Sequence, residues 1–232
     1  MPFANTASSP GRLAARRPIA LALVVAAIAA IAVAGCNSIT GRTGTGAVKS
    51  ETRQAAPFSR IDVGYGINIT VGIGAAKPLE VRAQENILPI LVTEVQGDTL
   101  RIRGSSEFNS STVVEVTIVS PTLTSVSLGG GSSAQVTGIA EDRLEVTVGG
   151  GGSITASGTV GALSLTMTGG SDAMLADLAA KTVGIELSGG STAALRASDE
   201  VSGSASGGSH ATVAGDARLD VQVSGGAEVT RG

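Results

Sequence analysis

From residue 144 onward, apolar and small polar residues alternate in short bursts. The apolar members are Leu144, Val146, Val148; Leu163, Leu165, Met167; Val183, Ile185, Leu187; Val201, Gly203, Ala205; and Leu219, Val221, Val223. Each burst runs into a glycine pair, and a further pair at Gly130-Gly131 precedes the first. The second glycines fall at 131, 151, 170, 190, 208 and 226, so the step is 18 to 20 residues. Alternation resumes after each of the first five pairs with Ala134, Val136; Ile154, Ala156; Ala173, Leu175; Ala193, Leu195; and Ala211, Val213. Period two on both sides of a corner predicts two short strands with the same face buried. Glu145, Thr147, Ser164, Thr166, Glu186, Ser204, Asp220 and Gln222 then face solvent, and Ser132, Ser171, Ser191 and Ser209 read as turn residues.

A repeat of this length, too short to bury its own apolar face, must stack on copies of itself. The expected fold is all-β, a parallel β-helix with rungs of 18 to 20 residues, glycine-rich corners and roughly eight to ten rungs in total. An antiparallel meander also uses short alternating strands and glycine turns. It would vary its turn chemistry along the sheet, whereas here equivalent positions hold similar residues in every copy. Upstream, alternation predicts strands near 61–63, 64–71, 79–83, 100–103 and 114–118, forming first turns or a cap.

The front of the chain has another character. Arg12, Arg16 and Arg17 precede an apolar run over 19–33 that ends in Val33-Ala34-Gly35-Cys36. Basic, apolar and small-residue segments in that order make a secretory signal, too short to span a membrane. Val-Ala-Gly-Cys resembles a bacterial lipoprotein processing site. The expected organisation is a signal peptide at 1–35, lipidation at Cys36, a flexible tether at 36–57 and one domain at 58–232. That domain divides into N-terminal strands at 58–119 and glycine-pair repeats at 120–232. Asn37 after the cysteine points to an outer-membrane destination. Cys36 is the only cysteine, so no internal disulfide holds the domain.

Net charge is −3, and cleavage would remove three arginines and no acid. With no basic stripe to displace counterions, nucleic acid is excluded as a partner. The expected partners are the membrane through the lipid on Cys36, an envelope glycan or protein, and a second copy. The last expectation follows from Val221, Val223 and Val229, which line a final rung with no evident polar cover.

Phe58, Ile61, Gly66-Ile67-Asn68, Glu85-Asn86 and Gly97-Asp98-Thr99-Leu100, followed by the Gly-Gly-Ser repeats, resemble the head GIN domain family of auto-transporter adhesins. The resemblance covers nearly all of 58–232. It implies a β-helical envelope protein, often a lipoprotein, with no established biochemical activity.

Chemistry has little foothold in these residues. His210 is the single histidine and lies outward, at the repeat position of Ser133, Asp172 and Thr192, without a second imidazole to share a metal. Glu145 and Asp220 share one outward column and Glu186 sits in the next, none of them adjacent. Only Asp172 stands beside a corner pair, against a calcium-binding repeat. Gly64, Gly66, Gly72 and Gly74 lack the following helix that a dinucleotide fingerprint needs. Aromatic platforms for sugars or bases are nearly absent: Phe3, Phe58, Tyr65 and Phe108 are the only aromatics. No catalytic, metal or cofactor residue is expected, and the reading is a non-enzymatic envelope lipoprotein that adheres or scaffolds. The alternative is a polysaccharide-binding or polysaccharide-degrading β-helix. It would need two convergent carboxylates, or a carboxylate beside Arg or Lys, in a groove.

Overall fold

The computed structural model describes residues 41–64, 66–109 and 114–232. The expected signal peptide, Cys36 and the start of the tether lie outside the described residues. The described chain is a parallel β-solenoid with no α-helix among these residues, and one inward column (Leu100, Ile61, Val126, Val146, Leu165, Ile185, Gly203, Val221) stacks eight rungs. Fifteen strands build it. They are β1 (Val48–Arg53), β2 (Arg60–Val63), β3 (Asn68–Ile73), β4 (Leu79–Gln84), β5 (Leu91–Gln96), β6 (Thr99–Gly104), β7 (Val114–Ser120), β8 (Ser125–Leu128), β9 (Ser133–Val148), β10 (Ser153–Met167), β11 (Asp172–Leu187), β12 (Thr192–Ala205), β13 (His210–Ala214), β14 (Arg218–Val223) and β15 (Glu228–Arg231).

Each long strand from β9 to β12 runs along one face, bends, and returns along the other, so a single strand supplies most of one rung. Successive rungs pair parallel and in register. Leu144, Leu163, Val183, Val201 and Leu219 form one column, and Ala134, Ile154, Ala173, Ala193, Ala211 and Val229 another. Each apolar residue therefore packs on its own equivalent, about 4.8 Å above and below. The repeat residues expected inward from Ala134 to Val213 are buried, Gly203 excepted, and the return edge adds Ile139, Val160, Leu178, Ala180 and Ala197.

The corners explain the glycines. The first member of each pair stacks on the first member of the pair below. A Cβ on Gly189, where φ is +77°, would lie 2.7 Å from the carbonyl oxygen of Gly169. Only hydrogen fits there. The serines after the pairs do not point into solvent as turn residues on the surface would. Ser132, Ser171, Ser191 and Ser209 are all buried. Three of them clamp the corner from inside: Ser132 Oγ donates to the Gly129 carbonyl at 2.6 Å, Ser171 Oγ to Thr168 at 3.1 Å and Ser209 Oγ to Ser206 at 2.9 Å.

The N-terminal part departs from simple coiling. β2 and β3 form a rung that lies between the β6–β7 rung and the β8–β9 rung. The chain steps out after β3, adds strands at the end of the solenoid, lays down β6 and β7 beneath β2 and β3, then passes over them to β8. β4 pairs antiparallel with β7, β5 with β6, and β1 with β4. A short 3₁₀ turn, Leu88–Ile90, links β4 to β5 and buries Leu88 and Ile90.

β1 corrects the expected tether. Residues 48–53 are a six-residue strand paired along its whole length with β4, so ordered chain begins well before residue 58. Its side chains are almost all exposed, and beyond the backbone ladder Lys49 pairs with Glu85 at 2.7 Å. Arg53 anchors its end by donating to the carbonyls of Leu88 and Leu91.

Candidate functional site

His210 sits where the repeat places it, in register with Thr192 and with Glu228 of the following rung. Its Nδ1 lies 3.5 Å from a Glu228 carboxylate oxygen, and its Nε2 lies 3.4 Å from Thr212 Oγ1. The side chain is 43% exposed, a surface partner to one acid. Among the described residues no group of three His, Cys, Asp or Glu side chains could hold a metal ion.

The outward carboxylates are engaged separately. Glu145 pairs with Arg60 at 3.1 Å, and Arg218 bridges Glu200 and Asp220. These are exposed pairs, each worth about 1 kcal/mol or less. The register keeps Glu145 and Asp220 apart in one column, with Ser164, Gly184 and Ser202 between them.

The feature with ligand-binding geometry is a groove of about 680 Å³ along the bent edge of the solenoid. It crosses the rungs of β9 to β12 and continues over Gly215 and Asp216. Its floor residues become smaller from rung to rung: Val160, Ala180, Ala197, then Gly215. At Gly215, where φ is +98°, a Cβ would lie 2.3 Å from the Ala197 carbonyl oxygen, so this position of the stack takes only glycine. Lys181 and Arg196 stand on opposite lips of adjacent rungs, one residue to either side of the floor pair Ala180 and Ala197. Both are exposed, and neither forms an ion pair among the described residues. Asp142 and Asp216 lie toward the two ends.

This pair of cations was missed in the sequence. Counted from the corner glycines the two residues occupy different offsets, and irregular register between β11 and β12 is what brings them together. The groove also holds carboxylates, as the alternative reading required. They do not converge. Glu141 accepts the backbone N–H of Leu123 at 3.0 Å and so caps a loop. Asp142 and Asp216 are four rungs apart, about 19 Å at the spacing of stacked strands. Two carboxylates acting across one glycosidic bond sit within about 10 Å of each other.

A second concavity, about 390 Å³, lies on the flat face between Asn68, Thr70, Ser133, Gln135, Ser153 and Thr155. A third, of about 470 Å³ and mainly apolar, is bounded by Ala55, Pro57, Phe58, Val119 and Pro121 near the N-terminal strands.

The described residues thus define a class of fold, the stacked parallel β-solenoid with Ser and Thr along an outward face. Comparison places the chain within it: the profile of the family described as "Putative auto-transporter adhesin, head GIN domain" matches residues 57–217, and the protein belongs to that family. Among solved structures it resembles a putative adhesin from Bacteroides fragilis NCTC 9343, at 19% identity and a TM-score of 0.64, covering 82% of this chain and 99% of that one. A putative lipid binding protein from Parabacteroides distasonis ATCC 8503 is similar at 15% identity and a TM-score of 0.53, covering 82% and 98%. A putative adhesin from the same strain gives 18% identity and a TM-score of 0.51, covering 83% and 100%. At these identities the likeness establishes the fold. No curated protein matches the sequence.

Proposed function

We propose that this protein is a non-enzymatic adhesion module of the bacterial cell envelope, tethered by a lipid on Cys36 and directed to the outer membrane. The edge groove holds an extended acidic polymer. The observation that carries this reading is the unpaired Lys181 and Arg196 flanking a floor of alanines. An anionic group on a linear chain can lie between the two cations, while the rest of the chain runs along the rungs. Each contact is weak in water, and many repeats along one polymer supply avidity. Family membership supports the adhesive role.

The test is binding of the purified chain to acidic envelope polysaccharide, compared with a neutral glucan. Wild type should retain the acidic polymer, and Lys181→Glu with Arg196→Glu should weaken retention by about tenfold or more, with added salt weakening wild type too. Equal binding of both polymers, or an unaffected double variant, contradicts the proposal. Replacing Cys36 by serine should abolish incorporation of labelled fatty acid and release the protein from membranes. Incorporation that survives the replacement contradicts the anchor.

One observation favours the degrading alternative, namely that Asp142, Lys181, Arg196 and Asp216 share one groove. Shortening of the bound polymer, read by reducing ends, would establish that reading.

A further inference from the structure

The two ends of the solenoid are finished differently. At the N-terminal end the outermost strands are antiparallel additions. β1, with the sequence Val48-Lys49-Ser50-Glu51-Thr52-Arg53, presents alternating charge and exposed side chains along its free edge. Charged edge strands of this kind resist pairing with another chain. At the other end, β14 pairs only with β12 and β15 only with β13, each in unbroken parallel register, so their far edges carry free backbone donors and acceptors. Neither strand contains proline or a bulge.

The apolar columns also run out there. Leu219, Val221 and Val229 continue columns that are buried in the rungs below, yet they are only half-buried, and Val223 is 48% exposed. Arg231 lies across the bent edge, donating to the carbonyls of Gly215 and Ala217, and leaves both sheet edges open. Among the described residues nothing is packed over this rung.

We infer that the open rung formed by β14 and β15 is a docking surface for the same rung of a second copy, giving a two-fold, tail-to-tail dimer. Pairing the edges in antiparallel sense continues both sheets through the interface and covers Leu219, Val221, Val223 and Val229 with the same apolar set of the second copy. The rim allows this self-contact because it carries both signs, with Arg218 beside Asp220 and His210 beside Glu228. Growth from head to tail would instead set β15 against the charged β1 and β14 against β5, the antiparallel edge strand of the other sheet. A two-fold contact closes after two copies, whereas a head-to-tail contact would extend into fibres. The dimer carries two grooves on one object, which raises avidity for a repeating polymer. The dimer stands or falls independently of any ligand.

The test uses the full chain in mild detergent, followed by sedimentation velocity over a range of concentrations. Wild type should rise from monomer to dimer and stop. Val223→Lys should weaken association by about tenfold or more. Because Val223 is already half exposed, the melting temperature of the monomer should stay where it was. With Cys36 replaced by serine, a cysteine at Gln222 should give cross-linked dimers, and a cysteine at Lys49 should give none. A strict monomer, a ladder of higher species, a dimer unaffected by Val223→Lys, or cross-linking through residue 49 would each overturn the inference.

Discussion

Gly189→Ala should lose about 3 kcal/mol or more of stability, and Gly190→Ala, one residue on, less than about 1 kcal/mol. The two positions are neighbours in one diglycine with the same sequence signature, so only the stacking separates them. At Gly189 the backbone has φ +77°, and a Cβ would meet the Gly169 oxygen at 2.7 Å and nitrogen at 2.9 Å. Those atoms belong to the corner below, which is itself stacked on Gly150, so nothing can give way without moving several rungs. At Gly190 no atom lies within 4 Å of a Cβ. Urea unfolding of the two variants, followed by far-ultraviolet circular dichroism, measures the difference directly. Equal costs would mean that the corners are loops and not stacked contacts.

Ile185→Asp should prevent folding, whereas Ser204→Asp should leave stability within about 1 kcal/mol of wild type. Ile185 is 1% exposed and packs between Leu165 of one neighbouring rung and the edge of Gly203 in the other. Removing its side chain alone would cost about 2–5 kcal/mol. An unpaired carboxylate in that column adds a desolvation cost comparable to the whole stability of a typical domain. Ser204 is outward and exposed, with Glu186 and Gln222 as column neighbours, so an acid there meets water and one like charge. Soluble yield and thermal melts of the two variants provide the readout. Comparable damage from both would place the alternation one residue out of step.

The repeating half of the fold was legible because a stacked rung imposes its demands at the same offset each time. The corner needs glycine, and the positions five and seven before it need apolar or absent side chains. Local periodicity carries no such mark for the order in which distant segments stack. Gly66 is the corner of a rung and lies over Gly130, but the insertion of β4 to β7 separates them by many residues and hides the repeat. β1 was hidden for another reason. A strand that buries neither face has no period-two hydrophobic signal, so Lys49, Glu51 and Arg53 read as solvated tether. The serines after the corners have the composition of surface turns, and only the inward-facing clamp to the carbonyl three residues back shows that they are core. At the groove, Lys181 and Arg196 look like scattered surface charges until the irregular register of β11 on β12 places them across one floor.

The stacking itself can be measured as a ladder of distances between spin labels, with Cys36 replaced by serine. Labels on Ser127 paired in turn with Glu186, Ser204 and Gln222 stay within one outward column and span three, four and five rungs. The separations should increase by about 4.8 Å per rung, near 14, 19 and 24 Å. Separations that fail to grow in order, or that fall as the second label moves toward residue 222, would contradict a parallel solenoid.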